Sequence, residues 1–521
     1  MKIVFNKIVL AVVLAGSITM GCEKNLRVDP NQSIDANGAL STRQTIDASI
    51  TFAYAVLKNP RLYGRDFIAL PEALADNGFA TQKSGRLVGE SNNNFGVHFT
   101  GTVWTASYQV INQINLTLEA IPGITEIPAI TAAEKAAWEG QLYFLRGLYY
   151  FELMKAYAYT PGAVVTAQDR GGVPLMKVGV GTLADAIKVF PTRAPIDSVY
   201  ASIIADFKLA DTRLLTSATQ KSLATKGAAQ AMLSRVYLYT KDYVNAKLWS
   251  DNAIATNGGL TRLTDQADYV SNWRSAENKE TIFQIRFTLN SENIGVNESL
   301  QTSFTTLTAP AITNVTGGFG DLVPTISLLN ALGITLVGGN TTTVFNGNNA
   351  VIATRSTDVR NQLYEPGTLG RGKSYVETTK FLGKNGFPNL DNVPVIRMSE
   401  LYLNRAEVLA TPGAPNFDAV GALADLKVIK SRRYVGYTGS ALETADNALT
   451  PAALYEEILN QRRIELAYEG QRFHDLKRLG RNIVKSPPST QVVLFTDARI
   501  LAPIFQPDVD GNPNLRQNFG Y

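Results

Sequence analysis

The segment Gly367-Thr368-Leu369-Gly370-Arg371-Gly372-Lys373-Ser374 satisfies the phosphate-loop pattern, in which backbone N–H groups and a lysine cradle phosphates. That chemistry needs a buried strand before the loop and a helix after it, with the helix N-terminus facing the phosphates. Here Tyr364-Glu365-Pro366 precedes the loop, and the strand-like run Tyr375 to Phe381 follows it. The segment is expected to be a basic turn between strands. Gly179-Val180-Gly181 lacks the setting of a dinucleotide site and reads as a loop. Glu465 and Glu469 lie one helical turn apart and could suggest glycoside hydrolysis, but Arg462 and Arg472 stand three residues outside them. Cations keep carboxylates ionised, whereas a general acid needs its proton affinity raised by burial. These residues, with Gly470 and Asp475, are expected to form an ion-pair and capping network that braces a C-terminal helix and its turn. The two histidines, His98 and His474, are far apart in the chain and no HExxH run exists. No catalytic set, metal site or cofactor is expected.

The one cysteine has a defined setting. Met1-Lys2 begins the chain, residues 8–15 are an apolar run, and small residues lead to Gly21-Cys22. This is the layout of a secretory signal, too short for a spanning helix. With Gly directly before it, Cys22 is expected to be the acylated first residue of a mature lipoprotein, anchored by its acyl chains. Residues 22–37 are polar and aperiodic, as suits a tether. A single cysteine excludes an internal disulfide and any cysteine-cluster metal site. Removing residues 1–21, which carry Lys2, Lys7 and no acid, takes the formal charge from +4 to +2. That is no footprint for nucleic acid, which needs clustered positive charge.

Helical patterns dominate the elements that must position these groups. One pair covers 226–240 and 243–256, with Leu233, Val236 and Tyr237 on one face and Asp242 as cap of the second helix. Leu233, Tyr237, Ala246 and Ala253 fall at tetratricopeptide spacings, where small residues let antiparallel helices approach closely. Other helices are expected over 131–158, 399–410, 419–432 and 451–468, the last opened by Thr450-Pro451. Between them, 78–101 and 286–395 are rich in Gly, Asn and Thr and read as loops with short strands, including Thr342-Thr343-Val344-Phe345. The fold class expected is mainly α, a tetratricopeptide-like helical-repeat scaffold with long irregular loops. One domain over 38–521 would hold the repeats at about 131–158, 226–256 and 399–432, with a C-terminal motif at 451–480.

Four segments together resemble the SusD/RagB family of outer-membrane nutrient-binding lipoproteins. Residues 458–480 are similar to its C-terminal pattern of an Arg-rich helix, Glu-Leu, Glu-Gly, Arg, aromatic and Asp-Leu-x-Arg, with Gln461 where Glu is common. Residues 395–407 resemble its Arg-x-x-Glu helix ending in Arg-Ala-Glu. Residues 144–153, with Gly172-Val173-Pro174-Leu175, and residues 228–238 resemble its early and central repeat helices. The resemblance implies a tetratricopeptide-like α fold placed on the cell surface at the outer membrane. It also implies docking on a SusC-like TonB-dependent transporter, and an oligosaccharide ligand, or a peptide in the RagB branch.

Ligand contacts would then come from the loops. The early loop offers Arg86, Asn94, Phe95, His98 and Phe99; the central one offers Phe304, Phe319 and Phe345, with no tryptophan. Trp104 and Tyr108 recur at helical spacing and are expected in the core, as are Trp138 and Trp249.

Overall fold

Threonine and aspartate caps, at Thr42, Thr131, Thr225, Asp242, Asp418 and Thr450, set where many of the helices begin. In this computed structural model, which describes residues 39–521 except 100, 127, 217–219, 311–316 and 385, about 48% of the described residues are helical. The leader, Cys22 and the tether lie outside the described residues. The principal helices are α1 (Arg43–Val56), α2 (Asp66–Leu74), α3 (Gly101–Ala120), α4 (Ala132–Tyr157), α5 (Ile196–Arg213), α6 (Lys226–Tyr239), α7 (Tyr243–Thr256), α8 (Met398–Ala410), α9 (Ala419–Lys430), α10 (Pro451–Glu465) and α11 (Arg472–Arg478). Thr131 and Glu134 form a capping box on α4, and Asp242 Oδ1 accepts from the Asn245 N–H at the start of α7 (3.1 Å).

The helices stack in chain order, α4 on α5, α5 on α6, α6 on α7, α7 on α8, and α8 on both α9 and α10. The α6–α7 contact is close because its inner positions are small: Ala246 and Ala253 are fully buried, and Ser234 and Ser250 hydroxyls bond each other at 2.8 Å. The fold is the tetratricopeptide-like frame that these spacings imply. Trp104 and Trp138 are buried in it and Trp249 is partly buried against the core. Several expectations shift; helix α9, for one, ends at Lys430 rather than at 432. Helix α10 stops at Glu465, because Tyr468 and Gly470 both take positive φ (62° and 78°) and turn the chain. Thr342–Phe345 is a helical turn capped by Thr341 rather than a strand; the threonine cap decided it over the weak alternation.

Among the described residues the chain forms five antiparallel two-stranded ladders, two of them β4 (Ile334–Leu336) with β5 (Ile352–Arg355) and β9 (Ile483–Val484) with β10 (Val492–Val493). Three matter here. Strand β1 (Gly78–Ala80) pairs with β3 (Leu322–Pro324), β2 (Thr281–Ile285) with β8 (Val393–Arg397), and β6 (Tyr364–Pro366) with β7 (Val376–Thr378). The pattern resembling a phosphate loop is the turn between β6 and β7, with no helix after it, as its flanks foretold.

Candidate functional site

Three loops meet where the ladders end. The register Gly78↔Pro324 in β1–β3 brings the loop after β1 beside residues 319–321, and β3 packs against β7. Glu377 on β7 is the knot beneath them. Its buried carboxylate accepts from the Thr306 N–H (2.6 Å), the Thr306 and Thr305 hydroxyls (2.7 and 3.1 Å) and Lys83 Nζ (3.3 Å). Burial pushes its pKa up, against the pull of Lys83 and Thr306. Gly320, at φ 63°, must be glycine here, since a Cβ would lie 2.5 Å from Glu377 Oε1.

Above this knot the structure brings Arg86 and Phe319 together, the guanidinium carbon 5.1 Å from the ring centre. It adds a residue missed as a ligand candidate: Arg371, from the β6–β7 turn, lies 3.7 Å from the same ring centre. Beside them Phe345, Phe79 and Tyr375 form an aromatic cluster with centroids 5.5–6.5 Å apart. Phe345 is only 5% exposed, so it supports this face rather than presenting to a ligand. Phe304 is wholly buried against Tyr468.

The remaining early-loop residues do not join this cluster. Asn94 is exposed, and Phe95, 55% exposed, stacks on Tyr521 at 4.4 Å. His98 and Phe99 are each 1% exposed, a correction to their reading as ligand contacts. The chain folds back so that Phe99 stacks on His474 and His98 lies edge-on to Phe473, both on α11. The two histidines, distant in sequence, thus share one core. Burial, with the neighbouring Lys477, holds His98 near pKa 3; burial and the nearby lysines depress His474 far below its usual range. Both are neutral imidazoles at physiological pH.

Two cavities lie elsewhere. One of about 630 Å³ is lined by Trp104, Tyr108, Met176, Phe190, Asp508 and Leu515. Its polar tips are spent internally, Trp104 Nε1 on Asp508 (2.7 Å) and Tyr108 OH on the Pro174 carbonyl (2.8 Å). The other, about 740 Å³, is lined by Lys221, Arg262, Glu277 and Arg286 and has no aromatic wall.

The C-terminal carboxylates are in an ion network, as expected, but with partners remote in sequence. Register Thr281↔Arg397 in β2–β8 sets Glu280 beside Arg397. Arg397 also donates to Glu465 (3.1 Å) and to both oxygens of Glu469 (2.7 Å each). Arg433 reaches Glu465 and Glu280, Arg360 reaches Glu465 and Asp358, and Lys380 reaches Glu469. Arg462 pairs instead with Asp475 (2.8 Å), and Arg472 with Asp76 (2.6 Å). Farther along, Arg478 grips Glu407, and Arg235 grips Glu400 in two bonds.

Asp475 shows the energetic sign of this network. Burial alone would raise its carboxyl, but Arg462 and Arg478 outweigh it and hold the pKa at about 2. The stabilisation is therefore present above the unfolded carboxylate range near 4 and lost as pH falls through about 2. Asp475→Asn is expected to remove on the order of 2 kcal/mol at pH 7, with the deficit shrinking between about pH 4 and pH 2. Urea unfolding of both proteins across that range reads it directly.

The comparisons fall on this same frame. Residues 26–238 match a family model described as "Starch-binding associating with outer membrane", and residues 339–521 match the model of the "SusD family". The chain belongs to the SusD/RagB family. Among curated relatives it is 24% identical over 541 residues to "SusD-like protein P38" of Formosa agariphila, covering 99% of this chain and 98% of that one. "SusD-like protein P2" of the same organism is 23% identical with the same coverage. Among solved structures, a putative sugar binding protein from Bacteroides vulgatus superposes with TM-score 0.73 at 24% identity, over 93% of this chain and 99% of that one. A SusD superfamily protein from Bacteroides thetaiotaomicron gives 0.74 at 24%, over 91% and 99%. Neither family match covers residues 239–338, the stretch of this SusD/RagB chain that supplies Phe319 and Asp321.

Proposed function

We propose that this chain is a lipid-anchored protein of the outer-membrane surface that binds oligosaccharide and passes it to a SusC-like TonB-dependent transporter, without catalysis. The observation that carries the reading is the pair of family matches, in order, at the two ends of one helical frame. Other observations fit it. Among the described residues no helix is long and apolar enough to cross a membrane, so attachment would fall to Cys22. The two C-terminal carboxylates are clamped by cations, and Glu465 is held well below the usual range, the reverse of what a general acid needs. The ligand face would be Arg86, Phe319 and Arg371, with Tyr375 and its aromatic neighbours behind. Phe95 and Asn94 form the exposed rim nearer the C-terminus.

A peptide ligand is the second reading, favoured by one observation. All four tryptophans, Trp104, Trp138, Trp249 and Trp273, lie on helices, so no indole face lines the loops. The test joins both points. Detergent extraction and pull-down through a C-terminal tag should recover a large barrel protein, and a glycan array should register binding where a peptide array does not. Normal surface expression with no barrel partner would sink the transport role; signal on the peptide array alone would transfer the protein to the second reading.

A further inference from the structure

The geometry points to an acidic oligosaccharide as the ligand, its carboxylate or sulfate held by Arg86 and Arg371 beside the Phe319 ring. This rests on the carbohydrate-binding reading above and narrows it to one charge class.

Two cations share one aromatic ring. The Arg86 and Arg371 guanidinium carbons stand 5.1 and 3.7 Å from the Phe319 centre, so two like charges lie within the sum of those distances of each other. Among the described residues an acid answers Arg86 at ion-pair range and none answers Arg371. Asp321 Oδ1 accepts from the Ser84 hydroxyl at 2.6 Å, and its Oδ2 stays 3.8 Å from Arg86 Nη1, beyond hydrogen-bond range. Glu377 is occupied by Lys83, Thr305 and Thr306. Arg86 makes one strong contact, Nη2 to Asn297 Oδ1 at 2.9 Å. Arg86 Nη1 and Arg371 Nε are closed off from solvent and have no hydrogen-bond partner among the described residues.

Asp321 Oδ2 is itself buried without a hydrogen-bond partner, so the local acceptor falls to Arg86, and Arg371 has none among the described residues. Buried donors without partners are costly, and guanidinium forks match planar or tetrahedral oxyanions in paired bonds. A neutral sugar offers hydroxyls that can accept a bond but cannot offset the surplus charge. A carboxylate or sulfate does both. Ring and cation also pre-set the geometry, since Phe319 holds each guanidinium plane before the ligand arrives. The turn that resembles a phosphate loop thus serves anion binding through a side chain, Arg371, rather than through its backbone.

Calorimetry on the soluble mature protein with four probes tests this: an oligogalacturonide, a sulfated galactan oligosaccharide, maltohexaose and a short poly-glutamate peptide. Binding is expected for one or both acidic sugars, weakening about tenfold or more as NaCl rises from about 0.05 to about 0.5 M. The first two probes tell carboxylate from sulfate. Arg371→Gln should lower that affinity about tenfold while Arg371→Lys keeps part of it. Arg371 makes no hydrogen bond among the described residues, so its variants should keep the wild-type melting profile; Arg86→Gln is the companion. Equal binding of maltohexaose, indifferent to Arg371→Gln and to salt, would overturn the acidic ligand and leave the carbohydrate reading standing. Binding confined to poly-glutamate would overturn both, and silence with all four probes would overturn the acidic ligand.

Discussion

Replacing Glu465 by glutamine should lower the unfolding free energy by about 3–5 kcal/mol, the usual cost of removing one partner from a buried ion pair. Glu465 is wholly buried and faces three arginines. Arg433 donates to both of its oxygens (2.9 and 3.0 Å), Arg397 to one (3.1 Å), and Arg360 stands at 3.5 Å. Arg360, Arg397, Arg433 and Lys380 are balanced by Asp358, Glu280, Glu465 and Glu469, so the charge cluster is neutral as built. Glutamine keeps the shape but leaves one positive charge uncompensated in a site closed to water.

The pH dependence separates this from a catalytic role. Burial would raise the Glu465 carboxyl, but Arg433 and Arg397 outweigh it and hold it well below its usual value. The unfolded chain therefore takes up the proton first on acidification, and the stabilisation present above about pH 4.3 is lost as pH falls through the folded value. Wild type and Glu465→Gln should differ most in guanidinium midpoint near neutrality and converge in acid. Ligand affinity of the folded variant should be unchanged, because the ion pairs of Glu465 are with Arg360, Arg397 and Arg433 and not with Arg86 or Arg371. A midpoint equal to wild type at pH 7 would refute the account.

This network explains which parts of the molecule could be read from residues alone. The segments that carry the family resemblance supply Arg235, Arg397, Glu400, Glu407, Arg462, Glu465, Glu469, Asp475 and Arg478, and all of them bond one another or the core. The recognisable motifs are thus the fold's internal clamp. Their identities were legible, but their pairing was not: Arg235 and Glu400 are 165 residues apart, and only the β2–β8 register and the α6–α8 packing bring such groups together. Helices α4, α6, α7, α8 and α9 were legible from caps and apolar spacing. Helix α5 went unnoticed although it lies against α4, with Asp206 in two bonds to Arg146 (2.7 and 2.9 Å). Its sequence, IDSVYASIIADFKLADTR, mixes small and polar residues and offers no side-chain cap at Pro195. The loops were least legible. Nothing periodic in 78–101 distinguishes His98 and Phe99, which turn inward, from Phe95, which turns out. Arg371 drew notice only for the glycines around it, since its stacking on Phe319 depends on two ladders meeting.

Gly470→Ala should cost nearly as much as the loss of Glu465, through the backbone alone. Gly470 sits at φ 78°, a left-handed conformation that costs an L-residue about 1–2 kcal/mol. An added methyl would also fall inside contact distance of the Phe67 carbonyl oxygen and 3.0 Å from Ile68 Cα, both on α2. Those are backbone atoms, so relief requires α2 and the turn to separate, at about 1–3 kcal/mol more by analogy with overpacked cores. The turn cannot retreat freely. The Gly470 N–H donates to Glu72 on α2 (3.2 Å), Lys380 holds the Ala467 carbonyl (2.8 Å), and Arg397 holds Glu469 on the preceding residue. Gly123→Ala is the matched control, with ordinary φ and open space around the new methyl, and should change stability by less than about 1 kcal/mol. Chemical denaturation of the two variants side by side distinguishes strain at one turn from a general effect of losing glycine. If Gly470→Ala unfolds at the wild-type midpoint, the junction between α10, α11 and α2 is looser than its contacts imply, and the clamp built around it would no longer account for the rigidity of the frame.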